Sequence, residues 1–101
     1  MSRSGARTRI AVCLYVAAGA PNSAAARANL AAALEAIGSD HVTVTIIDVF
    51  ERPDLAFEHQ VYVTPMLIRV SPPPRCRVIG TLSDRAAILQ ILDVETSGSR
   101  S

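Results

Sequence analysis

Two cysteines, two histidines and a few acidic residues are the side chains of this 101-residue chain from which covalent or metal chemistry could be built. Thiol–disulfide exchange needs a thiolate stabilised by a helix N-terminus and a resolving thiol beside it. The turn "AGAPNS" (18–23), where a first helix would start, carries no cysteine. Cys13 lies inside an apolar run, where a thiol serves as a small core side chain. Cys76 is flanked by Arg75 and Arg77, but on a strand those neighbours point to the opposite face and lower its pKa little. Two thiols are too few for a disulfide framework or a zinc site. His41 and His59 stand far apart with no carboxylate at ligand spacing, so they read as surface or capping residues and no metal is expected. Asp48 reads as a turn-forming acid. Asp54 and Glu58 are like charges at i, i+4 on one exposed face. These residues assemble neither an acid–base pair nor a nucleophile with its base, and "AAGAPNS" has too few glycines to cradle phosphate. The chain is read as a non-enzyme with no cofactor.

Composition narrows the partners. The formal charge is +1, all ten basic residues are Arg, and beyond Arg3, Arg7 and Arg9 no basic cluster stands out, so a nucleic-acid role is unsupported. No apolar run approaches the ~20 residues of a membrane span, and "MSRSGARTR" leads into a strand-like run without a cleavage site. A soluble, cytoplasmic protein is expected. Half of the residues are apolar but only 4% are aromatic, so the core must be built from Val, Ile, Leu and Ala, with Tyr15, Phe50, Phe57 and Tyr62 as the only large rings.

The elements follow from periodicity. "RIAVCLYVA" (9–17) is continuously apolar and predicts a central strand covered on both faces. After the Gly19–Pro21 turn, Asn22 or Ser23 is placed to cap a helix whose stripe is Leu30, Leu34 and Ile37, closed by Gly38. "HVTVTIIDV" (41–49) alternates Val42, Val44 and Ile46 against Thr43, Thr45 and Ile47, a half-buried strand parallel to the first through a right-handed crossover. Pro53 suits the first position of a one- or two-turn helix. "VYVTPMLIRV" (61–70) and "RCRVIG" (75–80) read as strands. "SDRAAILQILDVE" (83–95) reads as a helix capped by Ser83, with Ile88, Leu89, Ile91 and Leu92 inward. Residues 1–8 and 96–101 are expected to be flexible tails around one domain, 9–95.

The order β-α-β-α-β-β-α is that of the thioredoxin-like architecture, in which Thr64-Pro65 falls where a proline opens the third strand. On that architecture Cys13 and Cys76 lie on strands separated by another, about 9–10 Å apart, too far for a disulfide. "LYVAAGAPNS" (14–23), "IIDVFERPDLA" (46–56), "VTPMLIRVSPPPR" (63–75) and "VIGTLSDR" (78–85) together resemble the KaiB family of clock-associated proteins, without an evident gap from about residue 9 to 93. The resemblance implies a protein-binding module that docks on the ring-shaped ATPase KaiC, with a KaiA-like protein or a histidine kinase as further partners. It also implies two folds: a thioredoxin-like monomer competent to bind, and a ground-state arrangement that forms a homodimer or homotetramer. The half after about Asp48 is the part rebuilt.

On that resemblance, Asp48, Arg52, Pro53, Arg69, Arg75 and Arg77 are the expected contact residues. Pro21, Asn22, Thr64, Pro65, Pro72, Pro73, Pro74, Gly80 and Ile91 are the expected structural or fold-switch residues. Prolines lack an amide hydrogen and fix φ, so the 72–74 triplet keeps two apolar segments out of one ladder, either as a rigid loop or as a boundary that two folds can share. Slow X-Pro isomerisation at positions 65–74 would make exchange between folds slow. Ala25, Thr45 and Gln60 replace residues that are often basic in cyanobacterial members, and Arg69 replaces a common lysine. The acidic tail of many members is missing, and Ile91 replaces a helix-weakening glycine, so the thioredoxin-like form is expected to be favoured. A KaiB-like adaptor in a histidine-kinase pathway and, further off, a thioredoxin-like redox protein are the alternative readings.

Overall fold

The computed structural model describes residues 9–38 and 40–92. The expected tails, 1–8 and 96–101, and the last expected helical positions, 93–95, lie outside the described residues. The chain runs β1 (Ile10–Val16), α1 (Pro21–Ile37), β2 (Val42–Asp48), α2 (Pro53–Glu58), β3 (Met66–Ser71), β4 (Cys76–Ile79) and α3 (Arg85–Leu92). The fold is thioredoxin-like, with all seven expected elements in the expected order. One four-stranded mixed sheet has the order β2-β1-β3-β4, with β1 parallel to β2 and antiparallel to β3.

Alternation along the central strand builds two cores. Ile10, Val12, Leu14 and Val16 face Ala26, Leu30 and Ala33 of α1 and Ile88, Ile91 and Leu92 of α3. Cys13 and Tyr15 face the other way, with Ile47, Met66 and Ile68, toward Ala56 and Leu55 of α2. Each fully buried aliphatic side chain contributes about 1.5–3 kcal/mol, so the first core carries most of the stability and α2 is held by less. The near-continuous apolar run of β1 is thus accounted for by helices on both faces.

Several local expectations are corrected. α1 begins at Pro21, whose missing N–H costs nothing at the first helical position, so neither Asn22 nor Ser23 is its cap. The cap position is Ala20, without a side-chain bond, while the buried Ser23 hydroxyl accepts from the Ala17 amide and closes the β1–α1 turn. Asp84, not Ser83, caps α3, its carboxylate accepting from the Ala86 and Ala87 amides. Gly38 does end α1, with φ at +76° and its N–H donating to Leu34 C=O. β2 keeps Val42 and Val44 against the first core, but Ile46 is exposed and Ile47 is buried on the α2 side. β3 starts at Met66, because residues 61–65 form a loop that includes a cis Thr64-Pro65 bond. Ser71-Pro72 and Pro73-Pro74 are also cis, in the loop between β3 and β4.

Candidate functional site

Only Tyr15 of the four rings enters a core; Phe50, Phe57 and Tyr62 are 72%, 81% and 78% exposed. All three sit on the segment 50–63, which comprises the β2–α2 turn, α2 and the loop before Pro65. Exposed Val63 continues it, and exposed Ile79 joins from β4, where it pairs with Met66 on the α2 face of the sheet. Scattered exposed apolar residues are ordinary, and exposed rings gathered on one segment make that segment the candidate surface here. The spacing of Asp54, Phe57 and Glu58 at i, i+3 and i+4 puts Phe57 on the charged side of α2, a signal already present in the sequence.

The expected contact residues divide around this surface. Asp48, Arg52 and Pro53 build its N-terminal end. The Asp48 carboxylate accepts from the Phe50 amide, and its carbonyl accepts from Glu51 and Arg52, so the turn presents Phe50 outward. Pro53 opens α2 at its first turn. Arg52 donates two bonds to Asp54, at 3.1 and 2.9 Å, and that guanidinium holds the Asp54 carboxyl below its usual range. Both partners are solvated, so the pair shapes the surface more than it stabilises the fold. Asp54 is therefore ion-paired rather than merely solvated.

Arg77 reaches across the sheet from β4 and donates to the carbonyls of His59 and Gln60, at 3.0 and 3.2 Å, which fixes the C-terminal end of α2. Arg75 is exposed after the proline triplet. The Tyr15 hydroxyl pKa is raised chiefly by burial, with Arg75 and Arg52 opposing weakly. Arg69 is different. It is 5% exposed on the opposite face, donating to Ile91 C=O and Pro74 C=O at 3.0 Å each, while its Nε has no partner. The expectation of a contact surface at Arg69 meets an internal anchor in this fold. A strand-face reading alone could have placed it inward, since it follows Leu67 by two.

The structural residues are placed as follows. Pro21 is helical and exposed, and Asn22 is exposed without a capping bond. Pro65 is fully buried, its carbonyl accepting from Gly80 N–H at 2.9 Å, and Gly80 has φ +112°, which suits glycine. Thr64 and Pro72 are half-buried, Pro73 and Pro74 exposed, and Ile91 is buried. His59, expected as a surface or capping residue, ends α2 half-buried, and its Nδ1 pairs with the Tyr15 hydroxyl. That contact between residues 44 apart was not readable from spacing. The cysteines are both free, and each packs on a different face, Cys13 with the α2 core and Cys76 with the α1/α3 core. Among the described residues no His/Cys/Asp/Glu group could hold a metal ion, and no helix is long and apolar enough to cross a membrane.

The KaiB domain profile matches residues 13–94 of the chain. The chain belongs to the KaiB family. It is 40% identical over 89 residues to the circadian clock oscillator protein KaiB of Prochlorococcus marinus, covering 88% of this chain and 85% of that protein. To the KaiB of Gloeothece citriformis it is 42% identical over 81 residues, 80% of this chain and 76% of that one. Among solved structures, the N-terminal domain of Synechococcus elongatus SasA is similar with a TM-score of 0.72 at 22% identity, covering 94% of this chain and 93% of that domain. Mitochondrial thioredoxin 3 of Saccharomyces cerevisiae follows at 0.70 and 21%, over 86% and 80%. At those identities the structural neighbours share the fold, and the clock-protein relatives carry the family assignment.

Proposed function

We propose that this KaiB-family chain is a non-enzymatic, cytoplasmic docking module for a KaiC-type ATPase ring, acting in clock or in stress and energy signalling. The observation that carries the reading is the ring-bearing surface of residues 50–63, built on the same turn that supplies Asp48, Arg52 and Pro53. Apolar rings beside a few oriented charges give a buried centre for affinity and a rim for register. The neutral residues Ala25, Thr45 and Gln60 make steering by charge weaker here than in members with basic residues at those positions, and place more of the affinity on the rings. A KaiA-like protein or a histidine kinase would act as a further partner or as a competitor for the same ring. Exchange with the ground-state arrangement would require breaking the anchors of Arg69 and Arg77, which tie the ends of α3 and α2 to strands β3 and β4 within the rebuilt half.

Binding of the full chain to a KaiC-type ATPase from the same organism tests this, with Phe57→Glu as the surface probe. The expected result is nucleotide-dependent binding that the substitution weakens at least about tenfold, the scale of one buried aromatic anchor. Binding that ignores Phe57, Phe50 and Tyr62 alike would move the interface elsewhere. Competition with a SasA-type kinase for one ring separates docking from the adaptor reading, in which the kinase is the target and not the rival.

A further inference from the structure

The sheet has two edges, and only one of them is blunted. β4 is four residues long, follows the proline triplet and carries Arg77, all of which keep an edge strand from pairing further. β2 has none of these features. It runs seven residues in unbroken parallel register with β1, and Val42 to Ile47 contain no charge, proline or glycine. Among the described residues nothing pairs with its outer side. Main-chain groups of successive strand residues point to opposite sides. His41 C=O accepts from Ile10 N–H and Val49 N–H donates to Val16 C=O, so the main-chain groups of the odd-numbered residues of β2 turn toward β1. The N–H and C=O of Val42, Val44 and Ile46 therefore point out of the sheet. Those of Asp48 do so too, but its carbonyl already accepts from Glu51 and Arg52. Ile46 is 44% exposed, although it shares a strand face with Val42 and Val44, which pack against the first core.

We propose that the outer edge of β2 is a self-association site, at which a second copy of this chain adds its own β2 antiparallel about a two-fold axis through Val44, joining two sheets into one. In that register Val44 meets Val44 of the second copy and Val42 meets Ile46, so all the outward groups of these three residues are paired between the chains. The strand complements itself. Val42 of one copy covers the exposed Ile46 of the other, Thr43 lies against Thr45 on the opposite face, and no like charges stand opposite each other from Val42 to Ile46. At the start of the seam Arg9 donates to Asp40 C=O at 3.0 Å. The two-fold brings Asp48 of the second copy to this end, where the guanidinium offsets its charge and that of Asp40. One strand pair buries less than the roughly 1,200 Å² of a standard interface, so the dimer is weak and forms at roughly 0.1–1 mM. Pairing at this edge does not depend on whether the rings of residues 50–63 dock anywhere.

Sedimentation velocity and amide hydrogen exchange of the full chain, from about 10 μM to about 1 mM, test the site. The expected result is a monomer–dimer equilibrium in which the amides of Val42, Val44 and Ile46 gain about three- to tenfold protection with concentration. The amides of Thr43, Thr45 and Ile47, already turned to β1, should not change. Ile46→Pro removes one outward donor and no bond to β1, so it should keep the fold while weakening dimerisation at least about tenfold, because it acts twice in a symmetric dimer. Phe57→Glu should dimerise like the parent chain. Should Ile46→Pro not fold, the alternation of protected amides in the parent chain decides alone. A chain that stays monomeric throughout the range overturns the proposal, as does a dimer whose newly protected amides lie elsewhere or that a folded Ile46→Pro leaves intact. Protection at 42, 44 and 46 that arises only when another protein is added would assign the edge to a foreign strand and likewise overturn it.

Discussion

Arg69 joins three parts of the fold through one guanidinium: strand β3 that carries it, the proline loop at Pro74 and the end of α3 at Ile91. No carboxylate pairs with it among the described residues, so its charge is balanced by carbonyl dipoles, and it is worth less than a full ion pair would be. Its removal still leaves the buried Ile91 carbonyl without its donor and unties the proline loop from β3. Arg69→Ala is therefore expected to destabilise the protein by about 2–3 kcal/mol in urea unfolding, with Arg69→Lys intermediate because an ammonium cannot span both carbonyls. Cys13 gives a pH-dependent test. Burial pushes its thiol up, with Arg75 opposing, so the folded chain holds this proton more tightly than the unfolded chain does. The contribution to stability is present below the ordinary thiol range and is lost as pH rises through the raised value. Alkylation of Cys13 at pH 8, followed by mass spectrometry, should be more than about tenfold slower in the native protein than in urea. Equal rates would place Cys13 in solvent. Spacing on β1 already assigned this cysteine to the core, whereas the internal bonds of Arg69 and His59 join residues 22 and 44 positions away, which no local pattern encodes.

At the scale of elements, the seven segments were legible because each carries its own period, and the corrections fall at their ends. Pro21 shifted the start of α1, because a residue without an N–H is cheapest in the first turn, and that freed Ser23 to close the preceding turn. The resulting Ala20 cap leaves a first-turn donor without a side-chain acceptor, although its φ of −80° and ψ of 132° suit a capping residue. Ala20→Ser or Ala20→Asp should stabilise the fold by about 1 kcal/mol. For a domain of this size that is a rise of roughly 4–8 °C in melting temperature. The proline triplet answered a different demand: it ends β3 and separates it from β4, and the short hairpin so formed presents Pro74 C=O to Arg69. α2 was legible as short, but the outward face of its Phe57 and of the flanking Phe50 and Tyr62 was not recognised, since a count of aromatic residues says nothing about the face each one occupies.

The whole molecule has a division of labour between its two faces. One face packs α1 and α3 over the sheet and supplies most of the buried apolar contact, while the other carries only α2 with the turn before it and the loop after it, which together display Phe50, Phe57, Tyr62 and Val63. That asymmetry follows from the β1-α1-β2 crossover, whose 17-residue helix packs on one face of the parallel pair and leaves the other to a helix of six residues. Family membership and fold were both readable from motifs spread along the chain, because they rest on many positions at once. The surface of residues 50–63 was only partly readable: Asp48, Arg52 and Pro53 beside it were singled out as expected contact residues, but the exposure of Phe50, Phe57 and Tyr62 and the internal bonds of Arg69 were not anticipated. Native mass spectrometry of the full chain with an intact KaiC-type hexamer from the same organism, in ATP and in ADP over several hours, tests the central claim most directly. The expected result is nucleotide-dependent rings carrying several copies of the wild-type chain and far fewer of Phe57→Glu. A verified hexamer that takes up no copies under either nucleotide would contradict it.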